Sequence, residues 1–190
     1  MNEKIVIVDD EPITKMDLQE LLEEAGYNVV GQASDGFEAI DVCQEQRPDL
    51  VIMDIKMPVL DGLKASKKIM YDKIAGGILL LTAFYDEAFV KKAREMGALG
   101  YLVKPLDEKS FIPTVEMCLS RAEKIQSLEK QVQEVSQKLE DRKIIDIAKG
   151  LLMKERNLDE QEAYKLLRKM SMDGRKSISE VARTIAIVYE

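Results

Sequence analysis

Five polar residues stand where short apolar runs end, and this arrangement constrains the chain more than any other feature. Asp9 and Asp10 follow Ile5-Val6-Ile7-Val8, Asp54 follows Leu50-Val51-Ile52-Met53, Thr82 follows Ile78-Leu79-Leu80-Leu81, and Lys104 follows Tyr101-Leu102-Val103. Apolar, β-branched-rich runs of this length, alternating with helical stretches, read as parallel strands buried on both faces. In an open parallel sheet, ligands gather beyond the carboxyl ends of the strands, near the point where strand order reverses. Three carboxylates, one hydroxyl and one ammonium are therefore expected to converge at one sheet edge.

The segments between the runs carry helix signals. A strand at Lys4 to Val8 leads into a helix from Pro12 to Ala25, which Gly26 stops. A strand at Asn28 to Ala33 precedes a helix from Asp35-Gly36 to Gln46, closed by Pro48. After the strand Leu50 to Met53 come a Met57-Pro58 loop, Asp61-Gly62 and a helix toward Tyr71. The strand Ile78 to Leu81, a helix from Asp86 to Met96, Gly97 and the strand Tyr101 to Val103 complete the array. Five βα repeats predict a doubly wound, flavodoxin-like α/β domain with a five-stranded parallel sheet over residues 1–120.

Beyond Pro105 no strand signal remains. Between Lys109 and Arg156 the sequence has a single proline, Pro113, and a single glycine, Gly150, so a long helix is predicted. Ile125, Leu128, Val132, Val135 and Leu139 recur at spacings of three and four, a heptad seam that assigns residues 121–141 to a coiled-coil connector. The next apolar group, Ile144, Ala148, Leu151 and Leu152, is rotated by roughly 140° at ~100° per residue, which implies a new packing partner. Two further helices follow, with capping boxes at Asp159/Glu162 and Ser177/Glu180. Their inward faces, Ala163-Leu166-Leu167-Met170 and Ile178-Val181-Ala182-Ile185, complete an all-α three-helix domain over residues 142–190.

Composition excludes several classes of function. The chain has no histidine, which removes histidine-based triads, common zinc sites and a phosphohistidine carrier. Cys43 and Cys118 lack CxxC spacing and are expected to be packing residues. No apolar stretch approaches the ~20 residues of a membrane span, and Met1-Asn2-Glu3-Lys4 leads into a strand without a signal-peptide layout. A cytoplasmic protein with no membrane partner is expected. The acidity is local: residues 1–120 hold 13 basic against 22 acidic side chains, whereas residues 121–190 hold 15 against 13. The second half therefore permits nucleic-acid binding without demanding it.

Packed together, Asp9, Asp10 and Asp54 must either share protons or hold a cation. Partly hydrated oxygen ligands suit Mg2+, and a carboxylate can itself be the nucleophile that forms an acyl phosphate. The residues carry a specific resemblance. Val8-Asp9-Asp10-Glu11, Met53-Asp54-Ile55-Lys56-Met57-Pro58, Asp61-Gly62, Thr82-Ala83 and Lys104-Pro105 make residues 3–120 resemble the receiver domain of two-component response regulators. The resemblance implies that Asp54 accepts phosphate from a sensor histidine kinase. It also implies that Asp10 binds Mg2+ directly, Asp9 binds it through water and the Lys56 backbone carbonyl completes the protein ligands. By the same resemblance Lys104, joined to Pro105 by a cis bond, pairs with the phosphoryl group, and Thr82 and Tyr101 form the switch.

Arg142 to Met153, with its Ala148-Lys149-Gly150-Leu151-Leu152-Met153 core, together with Glu162 to Arg168 and Ser171-Met172, resembles the ANTAR domain of RNA-binding antiterminators. The whole chain resembles regulators of the ethanolamine-utilisation type. Arg142, Lys149 and Arg156 recur every seven residues as one basic stripe. Lys165, Arg168 and Lys169 form another, and Tyr164 can stack on an unpaired base. With Lys143, Lys154 and Arg175, these make the expected RNA-binding set. The expectation is a non-enzymatic, phosphorylation-activated antiterminator that dimerises through its connector and binds hairpin RNA. A DNA-binding response regulator and an aspartate-nucleophile phosphohydrolase are the alternatives; no DxD follows Asp54, because Ile55-Lys56 occupies that place.

Overall fold

The structure, a computed structural model, describes residues 3–83 and 87–189. Met1, Asn2, Glu190 and the expected helix start at Asp86 lie outside the described residues. Strands β1 (Lys4–Val8), β2 (Asn28–Ala33), β3 (Leu50–Asp54), β4 (Ile78–Thr82) and β5 (Gly100–Val103) form one sheet in the order β2-β1-β3-β4-β5. Every pairing is parallel. The helices are α1 (Pro12–Glu24), α2 (Gly36–Gln46), α3 (Gly62–Tyr71), α4 (Glu87–Glu95), α5 (Glu108–Arg156), α6 (Glu160–Gly174) and α7 (Ile178–Tyr189).

The continuous apolar runs are explained by burial on both sheet faces. Ile5, Ile7, Leu50, Ile52, Leu79 and Leu81 pack with Leu18 and Leu22 of α1 and with Phe111, Val115 and Cys118 of α5. Their neighbours in sequence, Val6, Val8, Val51, Met53, Ile78 and Leu80, point to the opposite layer with Ala39, Cys43, Ala65, Ile69 and Ala93. A period of two therefore feeds two cores at once. Both thiols are free and buried; burial pushes Cys43 up to about 12 and Cys118 up to about 11, the latter opposed by Arg121. They act as small apolar side chains.

Local signals set the element ends. Gly26 has φ +86°; its N–H donates to the Glu23 carbonyl and that of Tyr27 to the Leu22 carbonyl, both at 2.9 Å. This double bond pattern closes α1 in a left-handed cap. Asp35 caps α2 by accepting from the N–H groups of Phe37 and Glu38. At the other end of α2, Arg47 adopts φ 48° ahead of Pro48. Asp159 and Glu162 form the reciprocal box expected at α6, and Ser177 and Glu180 exchange the same pair of bonds before α7.

The chain divides into two compact units between Ser127 and Leu128, inside α5. In the second unit, Ala148 and Leu152 of α5, Ala163 and Leu167 of α6, and Val181, Ala182 and Ile185 of α7 make the core. Met170, expected on the inward face of α6, is 39% exposed, because the apolar cluster ends at Leu167, one turn earlier. The seam residues Ile125, Leu128, Val132, Val135 and Leu139 stand in water, from 46% exposed at Ile125 to 66% at Val132 and Val135.

Candidate functional site

Strand order reverses between β1 and β3, whose outward connections run to opposite sides, so a crevice opens beyond their carboxyl ends. Asp9 stands just past β1 and Asp54 is the last residue of β3. Carboxylate oxygens of Asp9, Asp10 and Asp54 lie within 4.8 Å of one another. Asp9 is fully buried and Asp54 nearly so, while Asp10 is exposed at the mouth. The Lys104 ammonium, carried past β5, donates to Asp9 Oδ2 at 2.7 Å and to Asp54 Oδ2 at 3.1 Å. The Lys104–Pro105 bond is cis.

Backbone donors hold the carboxylates in place. Asp9 Oδ1 accepts from the Glu11 N–H at 3.0 Å, and Asp54 Oδ1 accepts from the Ile55 N–H at 2.7 Å. Burial raises the pKa of Asp54, and the negative charge of Asp9 adds to that, against the opposing hydrogen bonds of Lys104 and Ile55. For Lys104, burial pulls the ammonium down, but its bonds to Asp9 and Asp54 outweigh this and hold it above the usual lysine range. Two buried carboxylates thus share one ammonium, which leaves excess negative charge on hard oxygen atoms. That donor set fits a divalent cation such as Mg2+.

Thr82 ends β4 buried, and its carbonyl accepts the Lys104 N–H at 2.7 Å. Tyr101 pairs with Leu80 across the β4–β5 edge and packs partly buried against the adjoining core. Lys56 is exposed in the loop after β3. At Gly62 a Cβ would collide with the Asp54 carbonyl oxygen, and the Gly62 N–H donates to the Ile55 carbonyl at 3.0 Å. The glycine that starts α3 therefore lets that helix press against the backbone of Asp54.

Sequence reasoning missed Lys15. Its side chain is buried, and its ammonium donates to Ser34 Oγ at 2.6 Å and to the Ala33 carbonyl at 3.4 Å. The Asp9 N–H uses that same carbonyl at 3.1 Å. The available signal was spacing, since Lys15 stands three and seven residues before the inward-facing Leu18 and Leu22.

In the second unit, Arg142, Lys143, Lys154, Arg156, Tyr164, Lys165, Arg168, Lys169 and Arg175 are all exposed. Tyr164, Lys165, Arg168 and Lys169 share one side of α6, at helical spacings of three and four. Lys149 is different: its ammonium lies 2.8 Å from Asp146 Oδ1 and 2.8 Å from Glu160 Oε1, and the side chain is 17% exposed. The stripe Arg142–Lys149–Arg156 is interrupted at its centre, where a neutralised lysine ties α5 to α6.

Comparisons with known proteins agree with this geometry. Residues 5–116 match the model of the response regulator receiver domain, and residues 133–185 match the ANTAR domain. The chain is 42% identical over 182 residues to the transcriptional regulatory protein PdtaR of Mycobacterium tuberculosis, covering 96% of this chain and 88% of that protein. Among solved structures, a two-component response regulator of the LuxR family from Aurantimonas is 35% identical, with a TM-score of 0.59 over 63% of this chain and 86% of that one. A chain of the CheX–CheY–BeF3–Mg complex from Borrelia burgdorferi is 31% identical, with a TM-score of 0.56 over 60% of this chain and 86% of that one.

Proposed function

Because the chain belongs to the response regulators, with a receiver domain followed by an ANTAR domain, we propose that phosphorylation of Asp54 controls RNA binding by the second unit and suppresses transcription termination. The observation that carries this reading is the convergence of Asp9, Asp10, Asp54 and Lys104 on one crevice. A sensor histidine kinase is the phosphodonor. A carboxylate oxygen of Asp54 attacks phosphorus, an O–P bond forms as the P–N bond of phosphohistidine breaks, and the imidazole leaves with the electron pair.

Asp9, Asp10, Asp54 and the Lys56 carbonyl would hold Mg2+, which when bound neutralises charge on the phosphoryl oxygens. The Borrelia complex, whose components include BeF3 and Mg2+, supports this assignment. Lys104 already lies within hydrogen-bond reach of Asp54 and moves its ammonium onto a phosphoryl oxygen. Thr82 supplies a hydroxyl at the same edge, and Tyr101 turns inward as the adjoining strand end rearranges. The acyl phosphate serves the conformation it stabilises, so the protein is a switch rather than a turnover enzyme.

The exposed apolar seam from Ile125 to Leu139 pairs two copies, and each copy brings one ANTAR domain to a hairpin. Two linked contacts raise affinity through effective concentration. The exposed cations and Tyr164 meet phosphates and an unpaired base, while Lys149 keeps α5 and α6 together. The test is a gel shift of the full chain with a pool of stem-loop RNAs carrying a randomised loop, beside matching duplex DNA, with and without an acyl-phosphate donor. Donor-dependent retention of RNA is expected. Donor-dependent retention of DNA alone, or turnover of a phosphate ester, overturns the reading.

A further inference from the structure

Gly150 lies within α5, six residues before its end at Arg156, at a helical position where glycine weakens a helix relative to alanine. Among the described residues no packing partner repays that cost. The residue has helical backbone with no positive φ, and no atom of a neighbouring element lies within 4 Å of the position a Cβ would take. Packing among the described residues of the output unit therefore does not call for glycine here. At about 100° per residue, Lys143, Ile147 and Lys154 lie within roughly 60° of Gly150 around the helix, whereas the core residues Ala148 and Leu152 lie roughly 160° away. Gly150 thus marks the centre of the α5 face turned away from the output core.

The charge on that face is positive. Lys143 and Lys154 are exposed on either side of Gly150, and the one acid beside it, Asp146, is held by Lys149 at 2.8 Å. Ile147 is 53% exposed and offers an apolar contact. We propose that this face is a seat for the RNA backbone, in which the missing Cβ lets a ribose-phosphate segment approach the α5 main chain between Lys143 and Lys154. The proposal rests on the RNA-binding reading above and adds a contact surface to it.

A second copy of the chain fits the face less well. In a parallel two-fold helix pair each residue meets its own counterpart, so Lys143 and Lys154 would each face a like charge. The seam from Ile125 to Leu139 carries no such charge along its apolar line. The occupant that complements this face is an anion with a backbone slim enough to use the notch, which a phosphodiester chain provides.

The experiment uses the full chain with Asp54 phosphorylated by an acyl-phosphate donor, and the tightest stem-loop selected from the randomised pool. Gly150→Ala is expected to raise the melting temperature, through helix propensity, and yet to weaken RNA binding by about tenfold, the loss of one good contact. Lys143→Gln and Lys154→Gln should each lower the slope of log affinity against log salt by about 0.7 to 0.9, one phosphate contact apiece. A stabilised Gly150→Ala protein that binds RNA as tightly as the parent overturns the proposal. So does a variant whose sedimentation shows weaker dimerisation with the dimer's RNA affinity unchanged, which would make the face a contact between copies. If the parent protein itself retains no RNA, the functional reading fails first and is recognised by that result alone.

Discussion

The receiver buries every residue of β3 and β4, and of β1 all but Lys4, whereas the output unit stands, among the described residues, on eight buried apolar side chains, four of them alanine. This difference decides where each half can keep its chemistry. A thick two-faced core holds Asp9 and Asp54 out of water, so adding or removing one charge there is felt through a low-dielectric surrounding. The small unit has no such interior to spare. Its candidate binding groups are exposed cations, effective against a polyanion and weakened by salt. The receiver reads as the part that stores a signal, and the output unit as the part that displays it.

The largest effect should come from the receiver site itself. Asp54→Ala is expected to abolish phosphoryl incorporation and donor-dependent RNA binding with the circular dichroism spectrum intact. If that variant still dimerised on donor treatment, the nucleophile would be misassigned and the division of labour between the halves would break.

Core truncation sharpens the comparison next. Leu152→Ala and Leu79→Ala both remove a fully buried leucine, and each should cost about 2–5 kcal/mol. Calorimetry should show Leu152→Ala abolishing the output transition while the receiver transition persists. Leu79→Ala should lower the receiver transition without removing it. A single merged transition for both variants would mean that the units fold as one.

Two glycines supply a smaller contrast. Gly62→Ala drives a methyl group into the Asp54 carbonyl and should cost about 1–3 kcal/mol, with slower phosphoryl incorporation. Gly150→Ala, in open space, should stabilise its unit by about 1 kcal/mol. Denaturant midpoints that move in the same direction for both would refute the distinction between a filled and an open glycine.

The smallest effect is pH-dependent. The folded-state pKa of Asp54 is raised, so at neutral pH its ionised form opposes folding, and stability from this group returns as pH falls through that raised value. In metal-free buffer Asp54→Asn should therefore melt higher than the parent at neutral pH, with the gap narrowing on acidification. A gap that widened instead would contradict the direction of the shift.

Much of this was legible beforehand, for identifiable reasons. The five strands, the closure of α1 at Gly26, the capping boxes at Asp159 and Ser177, and the gathering of Asp9, Asp10, Asp54 and Lys104 rest on signals a few residues long. Strand periodicity and cap chemistry act over one or two turns, so sequence carries them. The change of apolar face after Leu139 was equally local, and Ile144, Ala148, Leu151 and Leu152 do turn to α6 and α7.

What sequence by itself determined is the type and order of the elements and the sheet edge where the charged residues meet, because hydrophobic periodicity and strand-end position are properties of neighbours along the chain. Only the tertiary structure decided which charges are free. Lys149 looked like the middle of a basic stripe, yet Glu160, eleven residues away on another helix, neutralises it together with Asp146. Lys15 went unremarked in the sequence, yet it is buried with its ammonium on Ser34 Oγ and the Ala33 carbonyl at the end of β2. Gly62 and Gly150 look alike as letters, and one is pressed against a carbonyl while the other faces empty space. Burial, ion pairing and free volume depend on distance through space between elements, which spacing along a chain does not encode.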